Sequence, residues 1–131
     1  MIDGWGRRNL RLLSLFAPVL VLAGVAGLIL PPELSLMSGA APYDVFHVAF
    51  GTLGVAIALR RSARGAALFN VAFGAVDLYQ AVAGVLGVFP AALFGLRPAD
   101  HVVHVALGGL LVGFGLAAFS AAPASAARPA S

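Results

Sequence analysis

Long apolar runs, separated by short polar or proline-containing segments, dominate the chain. Four runs, at about residues 12–30, 41–59, 66–89 and 102–122, reach the roughly 20 residues that a helix needs to cross a bilayer. The alternating strands of roughly ten residues that a membrane β-barrel requires are not found in the sequence. The pattern predicts an all-α fold: a polytopic membrane four-helix bundle.

The two halves of the chain resemble each other. The block HVAFG at residues 47–51 returns 57 residues later as HVALG at 104–108, and VAG at 25–27 returns at the same offset at 82–84. One offset that aligns separate matches indicates an internal repeat. Each repeat contains two apolar runs, so it returns the chain to its starting side. We therefore expect two tandem, parallel two-helix repeats.

Composition and charge agree with a membrane location. Hydrophobic residues make up 61% and charged residues 10% of the chain, against roughly 45–50% and 25% in soluble domains, and the mean hydropathy is +1.00. The net charge of +3 comes from arginines that flank apolar runs. Because they form no continuous basic patch, a nucleic-acid partner is not expected.

The arginines also predict orientation. They form two clusters, Arg7, Arg8 and Arg11 before the first run, and Arg60, Arg61 and Arg64 between the second and third. The positive-inside rule places both clusters in the cytoplasm. Arginine without lysine, with abundant alanine and glycine, is typical of GC-rich bacteria. We expect a multi-pass protein of the bacterial inner (cytoplasmic) membrane, with a four-span domain at residues 1–122, a disordered tail at 123–131 and both termini cytoplasmic.

Three polar residues distinguish the third run from the first: Asn70, Asp77 and Gln80. Leu13 and Leu20 stand at the positions equivalent to Asn70 and Asp77. A carboxylate near the bilayer centre costs roughly 2.5–3.5 kcal/mol on insertion scales and commonly marks a functional site. Two interpretations stay open: Asp77 hydrogen-bonds to a neighbouring helix, or it serves a proton-linked small transporter or channel.

A second polar set lies at the amino-terminal ends of the second and fourth runs, near the outer boundary of the membrane. Asp44 and His47 are three residues apart, as are His101 and His104, and the offset superposes the pairs. If the two helices are neighbours, these four residues have the ligand types for zinc, iron or copper. Alternatively, His47 and His104 ligate a haem from two sides, or Asp44 and Asp100 act as helix N-caps while the histidines bridge helices.

Small residues recur at helical spacing on two runs. The stripes are His47, Gly51, Gly54 and Ala58 on the second run, and His104, Gly108, Leu111 and Gly115 on the fourth. Small residues let helix backbones approach closely in lipid, so the stripes predict helix contacts. Gly109-x-x-x-Gly113 adds another small face, for packing within the bundle or for dimerisation.

Two motifs carry a family resemblance: Asp44-x-x-His47-x-x-x-Gly51, and Ala99-Asp100-His101-x-x-His104-x-x-x-Gly108. With them, the chain resembles, over roughly residues 10 to 118, a bacterial family of small integral membrane proteins catalogued as domain of unknown function 4383. The family's last motif looks like Ala-Asp-Asn-x-x-His, so His101 stands where asparagine is usual, and Asp44 also occupies a place often held by asparagine. The resemblance implies four spans and no established activity, substrate or cofactor.

Catalytic motifs are not evident in the sequence. Cysteine is absent, serines are peripheral, and no glycine-rich phosphate loop occurs. We therefore expect no enzyme and no cofactor, but a structural or accessory membrane component whose partners are the lipid bilayer and a homo-oligomer or larger membrane complex. The alternatives are a metal- or haem-binding protein and a proton-linked transporter or channel.

Overall fold

The fold was examined in a computed structural model that describes residues 4–121. Its elements are α1 (Gly4–Ile29), a 3-10 turn (Pro32–Leu34), α2 (Ala41–Leu59), α3 (Ala63–Leu86), α4 (Ala91–Phe94) and α5 (Pro98–Ser120). No strand occurs within residues 4–121, so the all-α prediction is confirmed. The tail predicted at 123–131 lies outside the described residues.

Four of these helices, α1, α2, α3 and α5, are long and apolar enough to cross a membrane. Their bounds differ from the predicted runs except in α2. The helix α1 begins at Gly4 rather than near residue 12, α3 covers Ala63–Leu86, and α5 begins at Pro98 rather than near residue 102. Hydropathy locates the apolar part of a helix, whereas backbone hydrogen bonding continues into polar residues at its ends.

Local signals explain several helix ends. The Ser62 hydroxyl caps α3 by accepting a hydrogen bond from the backbone N–H of Gly65 at 3.0 Å. The same helix ends at Gly87, whose φ of 67° lies in the left-handed region that glycine adopts without steric cost. Proline occupies the first turn of both α2 and α5, where its missing N–H costs no helical hydrogen bond.

The four long helices pair in a definite order. The helix α1 packs along α2, α3 packs along α5, and α1 and α3 meet across the middle, with α2 and α5 on opposite flanks. The buried apolar cluster lies mainly between the two central helices. Its members are Leu13, Ala17 and Leu20 of α1, Ala66, Phe69 and Phe73 of α3, and Leu111 of α5.

The glycine stripes lie at these helix contacts, as predicted. A Cβ atom added to Gly51 would lie 2.7 Å from Cγ2 of Val21, and one added to Gly108 would lie 2.8 Å from the carbonyl oxygen of Gly74. By contrast, a Cβ atom added to Gly109 or Gly113 would meet nothing within 4 Å. The second small face therefore points outward and takes no part in packing within the described bundle.

The outward surface of the bundle is apolar. Leu15 is 73% exposed, Leu59 79%, Val85 78% and Val102 70%, one on each long helix. Contiguous apolar surface of this kind is rare on proteins that are surrounded by water. The polar side chains of this bundle are instead concentrated at its two ends and in its interior.

Candidate functional site

Most of the buried ionisable residues lie toward one end of the bundle. We call it the loop end, because it is closed by the connections at residues 30–40 and 87–97. Tyr43 and His47 lie near the start of α2, and His104 lies near the start of α5. At the opposite, arginine end, Trp5 of α1 contacts Phe114 of α5 with ring centroids 5.7 Å apart.

Asp100 ties the two connections together. It is fully buried, and its Oδ2 atom accepts hydrogen bonds from the backbone N–H groups of Ser38 at 2.9 Å and Arg97 at 2.7 Å. Around it, the Ser38 hydroxyl donates to the Phe94 carbonyl, and the Arg97 guanidinium donates to the Ser35 carbonyl at 2.6 Å. The N-cap residue of α5 is Arg97, and Asp100 stands at the third helical position, from which its carboxylate accepts the hydrogen bond of the Arg97 N–H. The N-cap role predicted for Asp100 is therefore wrong, although its carboxylate does bond at the start of the helix.

Asp44 does not have the N-cap role that was considered for it. The helix α2 begins after Ala40, and no side chain caps it. The Asp44 carboxylate instead lies against Gly27 of α1, so closely that an added Cβ atom there would overlap it. Its Oδ2 atom is buried and has no hydrogen-bond partner.

Tyr43 is a site residue that the sequence analysis missed. Its hydroxyl lies 2.9 Å from Nε2 of His104 and shares a hydrogen bond with it, and its ring packs 4.1 Å from the His47 ring, centroid to centroid. Tyr43 also interacts electrostatically with Asp100. A tyrosine in an apolar helix usually needs a partner for its hydroxyl, and this was the signal available in the sequence.

The four predicted metal ligands are not brought together. Asp44 faces α1, whereas the His101 ring lies against Gly84 of α3. Among residues 4–121 there is no group of three or more His, Cys, Asp or Glu side chains that could hold a metal ion. The prediction of one site from Asp44, His47, His101 and His104 assumed that the second and fourth long helices direct all four side chains to one point. His47 and His104 do meet around Tyr43, but Asp44 and His101 turn toward α1 and α3.

A haem held between His47 and His104 does not fit this geometry either. Tyr43 contacts both histidines, with ring centroids 4.1 Å from His47 and 5.9 Å from His104. Nε2 of His104 already shares a hydrogen bond with its hydroxyl. A haem ligated from two sides would need the space that the Tyr43 ring fills. It would also need the His104 nitrogen atom that is hydrogen-bonded to the Tyr43 hydroxyl.

An inner cavity of about 220 Å³ lies beneath this cluster. Its ionisable lining residues are Tyr43, His47, Asp77 and His104. The remaining lining is apolar and includes Val19 of α1 and Val103 of α5, which are 61% and 38% exposed. Because these exposed residues line it, the inner cavity lies close to the outer apolar surface of α1 and α5.

Asp77 meets this cavity without a partner. The residue is only 2% exposed, and it makes no hydrogen bond or ion pair with any residue in the described part of the chain. The hydrogen bond to a neighbouring helix that one interpretation required is therefore not formed. Leu20, at the equivalent position of α1, lines the same cavity.

A second, outer cavity of about 390 Å³ lies under the 3-10 turn. It contains the Asp44 carboxylate among loop residues that include Ser35 and Ser38. The two cavities share Ala23, Met37, Tyr43 and His47 as lining residues. The outer cavity thus adjoins the inner one, with the Tyr43 and His47 rings between Asp44 and Asp77.

The other predicted interior residues, Asn70 and Gln80, have separate surroundings. The Asn70 amide donates to Oδ1 of Asn9 at 2.8 Å, and the Asn9 amide donates to the Phe114 carbonyl at 2.7 Å, which links α1, α3 and α5. Asn9 was missed because it precedes the first apolar run. Gln80 is 1% exposed, and neither amide atom has a partner among residues 4–121.

An apolar layer separates Asn70 from Asp77. Leu13, Phe73 and Leu111, all buried, lie in the core between the arginine end and the inner cavity. The polar interior is therefore divided into an amide contact at the arginine end and a cavity at the loop end.

Comparisons with known proteins returned no match: no protein-family model, curated protein or solved structure is similar to this chain. The resemblance to the family of unknown function stays a prediction. Functional inference therefore rests on the geometry alone.

Proposed function

We propose that this protein is an integral membrane protein of four spans that binds a small lipophilic molecule in its inner cavity. The four long helices and the exposed apolar side chains on each of them support the membrane location. In lipid these side chains meet hydrocarbon, and the helices satisfy their own backbone hydrogen bonds.

Equivalent contacts support a tandem repeat of two hairpins. Gly51 lies against the backbone of α1 at Ala17, and Gly108, 57 residues later, lies against the backbone of α3 at Gly74, also 57 residues later. The close contacts of Gly27 with Asp44 and of Gly84 with His101 show the same offset. Repeats related in this way have the same orientation across the membrane.

The arginines support an orientation in which the arginine end is cytoplasmic. Both clusters lie where α1 and α3 begin, at the end opposite the two longer connections. With this orientation the positive-inside rule places both termini in the cytoplasm and the loop end outside the inner membrane of a bacterium.

One observation carries the binding function: the inner cavity combines an apolar wall with convergent polar groups, and it lies beside exposed residues of α1 and α5. Ligand sites commonly have this composition, with a few polar groups that orient a largely apolar molecule. His104 supports the assignment, because it is 3% exposed and its Nδ1 atom has no partner. A molecule dissolved in the bilayer would reach these groups past Val19 and Val103.

The test uses the full chain in lipid nanodiscs and two benzyl probes of the same shape. Benzyltrimethylammonium is charged, and neopentylbenzene has a carbon atom in place of the nitrogen. Equilibrium dialysis should show saturable binding of at least one probe above uptake by protein-free nanodiscs. Leu107→Trp, which fills the cavity, should remove this binding, and Leu110→Trp, an exposed position on the same helix, should not. Equal uptake by wild type and Leu107→Trp would reject the proposal.

A structural or accessory role is the second candidate, and the amide contact at the arginine end favours it. The side chains of Asn9 and Asn70 connect three helices by hydrogen bonds. At the loop end, Asp100 connects α5 to the segment between α1 and α2. Polar contacts of this kind stabilise helix association in lipid. This candidate would stand alone if neither probe bound.

A channel has less support than a binding site. The apolar layer of Leu13, Phe73 and Leu111 interrupts the polar interior between Asp77 and Asn70. Protons and ions need a continuous chain of polar groups or water, and side chains packed in a core leave no room for it.

A further inference from the structure

We propose that the ligand of the inner cavity is a small lipophilic cation, an aryl- or alkylammonium, bound by the unpaired carboxylate of Asp77 between aromatic walls. This inference rests on the proposed binding function and names the chemical class of its ligand.

The isolation of Asp77 is the first support. A buried carboxylate without a partner must take up a proton or a cation, because an unpaired charge is costly in a medium of low dielectric constant. No residue in the range 4–121 supplies the compensating charge through an ion pair or hydrogen bond. The arginine nearest in sequence to the loop-end cluster, Arg97, donates its guanidinium to the Ser35 carbonyl. Within the described residues, a proton or a bound cation is therefore what can compensate the charge of Asp77, and a cation bound here would displace the proton.

The walls of the cavity are the second support. Phe16, Phe73 and Tyr43 line it together with Asp77, and the Phe16 and Phe73 rings pack edge to face with centroids 5.6 Å apart. Aromatic faces attract quaternary and tertiary ammonium groups through the ring quadrupole, most strongly where water is excluded. An anionic ligand would instead meet a carboxylate.

The neighbouring outer cavity also holds a carboxylate, which is the third support. Asp44, with an unpartnered Oδ2 atom, lines the outer cavity, and Asp77 lines the inner one. Tyr43 and His47 line both cavities and separate the two carboxylates. The two carboxylates make the electrostatic potential at this end of the bundle favour a cation over a neutral molecule.

The experiment compares the two benzyl probes with matched variants of Asp77. Asp77→Asn keeps the shape of the side chain and removes the charge, so binding of benzyltrimethylammonium should fall by at least about 30-fold, as expected for loss of one partner of a buried charge pair. Binding of neopentylbenzene should change by less than about twofold, because apolar contacts are kept. If both probes bind wild type and Asp77→Asn alters neither, or both equally, the cation assignment is wrong, although the binding function stands.

A charge swap keeps the test independent of any folding role of Asp77. Leu20 faces the same cavity from α1, so Asp77→Leu should abolish binding of the cation, and addition of Leu20→Asp should restore it. Thermal unfolding of each variant verifies that it is folded before dialysis. Folded swap protein that binds neopentylbenzene but not the cation would overturn the proposal, because a carboxylate in the cavity would then be insufficient.

Discussion

The helix pairs α1–α2 and α3–α5 have the same close contacts, yet their interior chemistry differs. Gly51 and Gly108 each lie against the backbone of the partner helix. The central helix of the first pair presents Leu13 and Leu20 to the interior, whereas α3 presents Asn70 and Asp77 at the same offsets, and all four side chains are buried. Close packing therefore depends on where side chains are small, and it leaves the other inward positions free to vary.

The two pairs contribute different side chains to the inner cavity: Leu20 of α1 and Asp77 of α3 line the same space. One pair supplies an apolar wall and the other supplies a charge. Two identical hairpins would place either two carboxylates or none in this cavity. The loss of symmetry at one position leaves a single carboxylate in the cavity, without a second one to repel it.

The largest effect is expected at the glycines that the two pairs share. Gly51→Leu and Gly108→Leu should each lower the free energy of unfolding by about 3 kcal/mol, because the new side chain would meet partner backbone that cannot move aside. Gly109→Leu is the control, since an added Cβ atom there meets open space. Unfolding in mixed micelles of dodecylmaltoside and SDS measures all three. If only one of Gly51→Leu and Gly108→Leu lowered the free energy of unfolding, the two helix pairs would not be packed equivalently.

A smaller effect is expected at Asp100 of α5, which bonds to the connection of the first pair at Ser38. Asp100→Ala leaves the buried backbone N–H of Ser38 and the partly buried N–H of Arg97 without their acceptor. The free energy of unfolding should fall by about 2 kcal/mol. Glu33→Ala, an exposed acidic residue in the connection between α1 and α2, should change it by less than about 0.5 kcal/mol. Equal effects of the two substitutions would contradict the role of Asp100.

Tyr43→Phe tests the contact between the two pairs at the loop end. The substitution keeps the ring beside His47 but removes the hydroxyl that shares a hydrogen bond with His104. We expect a loss of about 1 kcal/mol in the free energy of unfolding. Tyr79→Phe is the control, because the Tyr79 hydroxyl bonds to the Phe89 carbonyl in an exposed position. If Tyr43→Phe left the free energy of unfolding unchanged, the two pairs would be held together at this end by apolar contact.

The smallest effect is expected at the amide contact of the arginine end. A double-mutant cycle with Asn9→Leu and Asn70→Leu should give a coupling free energy of about 0.6 kcal/mol, the usual size for a hydrogen bond between membrane helices. The 2.8 Å distance between the Asn70 amide and Oδ1 of Asn9 predicts a favourable sign. If the effects of the two substitutions were additive, the hydrogen bond between Asn9 and Asn70 would not contribute to stability.

Part of the site followed from the sequence. Asp77 was identified because a charge within an apolar run is costly, and the structure does bury it beside a cavity. The grouping of Asp44 with His101 was wrong because equal depth along two helices says nothing about direction around them. Asn9 was not predicted as a site residue, because the prediction used hydropathy alone and α1 begins before its apolar part.

The sequence by itself determined the number of long helices, their approximate extent and the small residues at which they meet. These properties depend on length, hydropathy and periodicity, which are local along the chain. Only the tertiary structure decided that α2 and α5 lie on opposite flanks, that Tyr43 stands between the histidines, and that Leu20 and Asp77 share one cavity. Those outcomes depend on the rotation and pairing of helices, which arise from packing among residues far apart in the chain.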